Sequence, residues 1–156
     1  MDPSAIEGSM IEVILRQAGA SEVTKIAGFQ YYIIFKLRDD YSLAYAYNVN
    51  VNNEYFLQRV HPYPISHGSF ANEQELVDFI KTDVAKFRQA IRSSNFAKFV
   101  EVTQKIQELT EKMERLFLNY NVDGDKLLNI DQGFDRIRDG IQQIAKESEK
   151  LENEEI

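Results

Sequence analysis

The chain has 156 residues and a formal charge of −7 at pH 7, with 25 acidic residues against 18 basic ones. That length suits one ordinary domain, and the acidic balance argues against nucleic-acid partners, whose phosphates are bound by clustered Lys and Arg. The absence of cysteine excludes disulfides, thiolate zinc sites and cysteine nucleophiles.

The longest apolar run, Tyr31–Phe35, falls far short of the roughly 20 residues of a membrane helix. No signal or lipid-attachment motif is visible, so the expectation is a cytoplasmic protein with no membrane partner. The expected fold class is α+β: a short N-terminal helix, an antiparallel meander of three to four strands, an amphipathic helix and a long C-terminal antiparallel helical hairpin. Residues 1–9 are unpatterned and end in Gly8-Ser9 before Met10, as an appended leader does. Setting aside Asp2 and Glu7 leaves −5 for Met10–Ile156. The remainder divides into a sheet domain over 10–94, a hairpin over 95–151 and an acidic disordered tail over 152–156.

In chain order, Ile11, Ile14 and Leu15 share one face of a helix that Gly19 stops, and this face is expected to lie on the sheet. Period-two patterning then predicts a short strand over Val23–Ala27 and, after Gly28, a second over Tyr31–Leu37. Both faces of the second are apolar, which predicts a central position. Arg38-Asp39-Asp40 turns the chain into a third strand, with Leu43, Tyr45, Tyr47, Val49 and Val51 on one face. The small Ala44 and Ala46 on the other face would admit a close helix. Asn52-Asn53 turns into Tyr55–Val60, and Pro62 and Pro64 end regular pairing, so His61–Ser69 reads as an irregular crossover.

A helix restarts at Asn72, with Glu75 as capping-box partner and an apolar stripe of Leu76, Ile80, Val84, Phe87 and Ile91. Ser93-Ser94-Asn95 breaks it. Phe96, Phe99, Thr103, Ile106, Thr110, Met113, Phe117 and Tyr120 then step by threes and fours, as do Ile130, Phe134, Ile137, Ile141, Ile144, Ser148 and Leu151. Two such stripes joined by a short polar link predict an antiparallel hairpin.

The link carries one motif. Asn121-Val-Asp123-Gly-Asp125-Lys-Leu-Leu128-Asn129-Ile-Asp131-Gln132 resembles an EF-hand calcium loop, with oxygen-bearing side chains at loop positions one, three, five and nine. The resemblance implies Ca2+ held by Asn121, Asp123, Asp125 and Asn129, since calcium takes six to eight oxygens. The pattern departs at Lys126, Gln132 and Asn121, where the family has Gly, Glu and Asp. The same residues also read as Asx turn chemistry followed by a helix start at Asn129 and Gln132.

His61 and His67 are the only histidines, and their spacing matches no metal-ligand pattern. A small enzyme using a histidine in the 61–67 loop is the remote reading. Tyr31, Tyr32, Tyr41, Tyr45, Tyr47 and Tyr55 crowd the sheet region, where tyrosine serves strands and interfaces alike. The favoured function class is a non-enzymatic interaction or assembly module, pairing with a protein partner or a second copy and needing no cofactor. Its expected contact residues are Ile130, Phe134, Ile137, Ile141 and Ile144 on the return helix, with Tyr45 and Tyr47 on the sheet. A calcium-binding protein is the alternative.

Overall fold

The structure, a computed structural model, describes residues 3–151, with side chains described from Met10 onward. Its elements run α1 (Pro3–Gln17), β1 (Gly28–Arg38), β2 (Tyr41–Asn50), β3 (Tyr55–His61), β4 (Ile65–Phe70), α2 (Glu73–Ala90), α3 (Phe96–Asn119) and α4 (Gly124–Glu147). The strands form one antiparallel sheet in the order β1-β2-β3-β4, so the fold is α+β. No helix among the described residues is long and apolar enough to cross a membrane. The proposed tail, 152–156, lies outside the described residues.

Strand alternation sends Leu43 and Tyr45 of β2 and Tyr55 and Leu57 of β3 to one face, where they are buried. The α2 stripe of Leu76, Ile80, Val84, Phe87 and Ile91 closes over that face, and Tyr63 and Phe96 complete the core. One helix packed on one face of an antiparallel sheet is the two-layer arrangement expected of such patterning. The predicted capping box forms, with Asn72 Oδ1 accepting from the Glu75 amide at 2.9 Å. The Glu75 carboxylate reaches back to the Ala71 amide at 3.2 Å, one residue before the cap. The Asn52-Asn53 turn is also present: Asn50 Oδ1 accepts from the amides of Asn52 and Glu54, and Asn53 takes a φ of 56°, which asparagine tolerates.

The structure corrects several expectations. The helix proposed to start at Met10 already runs from Pro3, crossing the proposed leader boundary. It does not lie on the sheet, since Ile11, Val13, Ile14 and Leu15 are all exposed. No strand forms over Val23–Ala27; pairing starts at Gly28, where a Cβ would come within 2.4 Å of the Val49 carbonyl oxygen. Only glycine permits that approach. The segment read as a crossover contains β4, because Pro62 and Pro64 precede the first ladder residue, Ile65, and so remove no bond from its pairing with Arg59. The His61–Pro62 bond is cis.

The strand predicted to be central, β1, is an edge. Ile33, Phe35 and Leu37 pack against the core, but the strand's other face is left in solvent: Tyr32 and Ile34, pointing away from α2, are 59% and 58% exposed. The close helix expected over Ala44 and Ala46 is not found there either, since α2 approaches β3 and β4 with its stripe in the core of the opposite face.

Candidate functional site

The helical stripes carry the largest group of solvent-facing apolar residues. On α4, exposure rises toward the C-terminus, from 43% at Phe134 through 49% at Ile137 and 58% at Ile141 to 64% at Ile144. No residue of α4 is buried. On α3, Phe99, Val102, Ile106 and Leu109 are likewise exposed, whereas Met113 and Leu116 near the tip are half-buried. Of the predicted stripe, Thr103 and Met113 are half-buried, whereas Phe117 is 62% exposed and the neighbouring Leu116 is half-buried in its place. Both Leu116 and Phe117 fit heptad spacing from Met113, and only packing selects between them. Both helices are strongly amphipathic, yet apart from Phe96 no residue of either is buried. The anchors of α3 lie in its first half: Phe96 packs edge-on against Tyr41, Phe99 meets Tyr63, and Gln107 Nε2 donates to the Pro64 carbonyl at 2.6 Å.

The tyrosine positions divide. Tyr45 is fully buried and therefore belongs to the core rather than to any contact face. Tyr47 is half-buried and stacks on Tyr31, with ring centroids 4.8 Å apart and an 11° interplanar angle. Among the sheet tyrosines, those that face solvent are Tyr31 and Tyr32, both on β1.

At the tip, α4 begins at Gly124, five residues before the expected start at Asn129. The connection is therefore Tyr120–Asp123, and Asp125 and Asn129 are helical residues rather than members of a twelve-residue loop. Asp123 is the N-cap without a side-chain capping bond; its carboxylate instead pairs with Lys126 Nζ at 2.8 Å. Among the described residues, no group of three or more His, Cys, Asp and Glu side chains is placed to hold a metal ion.

His61 closes β3, with Nδ1 2.6 Å from the Ser42 carbonyl, to which it donates as the Nδ1–H tautomer. His67 occupies the extra position where β4 bulges against β3. Its ring lies 4.6 Å from Phe79, and burial, reinforced by Arg59, holds its pKa below the usual histidine value.

Sequence patterning alone misses a buried polar cluster beneath α2. Arg59, only 5% exposed, donates from Nη1 to Asp83 Oδ2 at 2.8 Å. Its guanidinium lies 4.7 Å from the ring centres of both Tyr63 and Phe87. The Tyr45 hydroxyl donates to the same Asp83 oxygen at 2.7 Å, and burial, with the neighbouring carboxylate, pushes that phenol's pKa up. The available signal was strand parity, since Arg59 shares the inward face of β3 with Tyr55 and Leu57. The cluster is charge-balanced and closed over by aromatic rings, an arrangement that holds a sheet and a helix in register.

No protein-family model matches the chain, and neither a curated protein nor a solved structure matches it.

Proposed function

We propose that the chain is a non-catalytic protein-interaction or assembly module whose contact surface is the apolar stripe of α3 and α4. One observation carries the reading: Ile137, Ile141 and Ile144 lie in register on α4 and are 49–64% exposed. A continuous branched aliphatic seam left in water is unfavourable by about 25 cal/mol per Å2, and contiguous patches of this kind mark interaction sites. The seam's heptad spacing suits another helix, which would seat side chains between Ile137 and Ile144 as knobs into holes. The α+β body holds the base of α3 through Phe96 and Phe99 and leaves the remainder of the helical pair free to receive it.

The test is photo-crosslinking from position 141 in the cell of origin, with a photoreactive residue in place of Ile141. Crosslinks to another polypeptide, lost in the Ile137→Lys/Ile144→Lys background, support the reading. If only solvent-quenched and intrachain products form, the α4 surface is not a contact surface and the proposal fails.

A further inference from the structure

The free edge of β1 carries a second surface, independent of the helices. β1 is 11 residues long and pairs only with β2, on one side. The opposite sheet edge is blunted, because β4 has six residues, is interrupted by a bulge where Gly68 takes a φ of +83°, and follows Pro64. β1 has no proline and pairs in continuous register from Gly28 to Lys36. A long, regular, apolar edge strand exposes a row of unpaired amides and carbonyls that templates another strand. Folded proteins normally blunt such an edge, and here only Lys36 lies within the regular stretch.

The residues of that edge specify its partner. From Gln30 to Lys36 the strand reads Gln-Tyr-Tyr-Ile-Ile-Phe-Lys. This pattern of one polar residue, five apolar residues and one polar residue is the same in either direction. An antiparallel copy centred on Ile33 therefore sets Ile33 opposite itself, Tyr32 opposite Ile34, Tyr31 opposite Phe35 and Gln30 opposite Lys36. Opposed residues share a face in this register, as the period of two requires. Tyr32 and Ile34, the two most exposed apolar residues of the 30–36 stretch, would meet each other's copies twice across the two-fold axis. Aromatic–aliphatic pairs of this kind are favourable cross-strand neighbours, and an isologous contact closes after two chains.

We infer that β1 pairs antiparallel with β1 of a second copy about a two-fold axis at Ile33, joining two four-stranded sheets into one of eight strands. This dimer does not rest on the role proposed for α3 and α4, which it leaves free on each protomer.

Because the chain contains no cysteine, single-cysteine variants test the register directly. Opposed antiparallel residues have Cα atoms about 4.5–5.5 Å apart, within disulfide reach. Ile33→Cys is expected to form a covalent dimer on mild oxidation. Tyr31→Cys is expected not to link to itself, because its copy is displaced by four residues, about 13 Å along the strand, but to link when mixed with Phe35→Cys. By sedimentation, the unmodified chain is expected to be a dimer. Ile34→Lys, at an exposed position, is expected to weaken it about tenfold or more, because the two-fold spoils two cross-strand pairs at once. Tyr32→Glu/Ile34→Lys is expected to recover much of that loss by setting Glu opposite Lys. Circular dichroism checks that each variant is folded. A chain that stays monomeric at high micromolar concentration overturns the inference, as does a dimer in which Ile33→Cys fails to link. Crosslinks from position 141 would still support the helical surface in either case, so the two readings fail separately.

Discussion

Asp83→Ala is expected to be the most damaging single change at the sheet–helix junction. The substitution leaves Arg59 5% exposed between two aromatic rings with no counter-ion, and removes the acceptor of the Tyr45 hydroxyl. Breaking a buried pair from one side costs about 3–5 kcal/mol. The Asp83 side chain retains 15% exposure, so some water can replace it, and the loss from the pair falls near 3 kcal/mol. Stranding the buried hydroxyl adds about 1 kcal/mol. For a domain of this size each kcal/mol moves the melting temperature by about 2–4 °C, so the expected drop is about 8–16 °C. Urea titration followed by circular dichroism supplies the free energy. Arg59→Met/Asp83→Leu, which removes both charges and refills the space, is expected to lie within about 1 kcal/mol of the parent. The reasoning is refuted if Asp83→Ala costs less than about 1 kcal/mol, or if the double variant is as unstable as the sum of the singles, since the two groups would then be uncoupled.

Other expectations follow from the same contacts. Leu57→Ala, at a fully buried position between β2 and β4, is expected to cost about 2–5 kcal/mol in urea denaturation through the cavity it leaves. His67 has a folded-state pKa lowered from 6.5, so between the two values the unfolded chain binds the extra proton. Its contribution to stability is complete above pH 6.5, falls as pH drops toward the folded value and is constant below that. His67→Gln is expected to flatten that part of a pH series of thermal midpoints. Lysine at Ile137 and Ile144 is expected to change the stability of the isolated chain by less than about 0.5 kcal/mol, as substitutions at exposed positions do, while abolishing any contact made through α4. Calcium at millimolar concentration is expected to leave the melting temperature unchanged, because Asp125 and Asn129 lie on the helix and Asp123 pairs with Lys126; a saturable rise lost in Asp123→Ala would restore the calcium reading.

Much of the architecture was already written locally. The α2 stripe and its Asn72 cap, the Asp39–Asp40 and Asn52–Asn53 turns, the break at Ser93–Asn95 and the extent of α3 follow from periodicity and capping, which act over three or four neighbouring residues. What neighbours cannot specify is which face or edge another segment covers. Tyr45 and Tyr31 follow the same alternation, yet one is buried with its hydroxyl on Asp83 and the other lies on an edge strand. The apolar faces of β1 are as compatible with a sheet interior as with a surface awaiting another chain. Strand order alone separates these, because it depends on pairings between distant segments. The start of α4 shows the same limit at short range: Asn129 and Gln132 form a valid start signal, but the helix had already begun at Gly124. Local steric and hydrogen-bonding preferences made α1, three of the four strands, α2 and α3 legible from the residues, but not β4, whose ladder with β3 is a pairing between separate segments. That β1 is an edge, that Arg59 and Asp83 meet inside the core and that the α4 isoleucines are left in water each depends on what lies across space, which no run of neighbouring residues specifies.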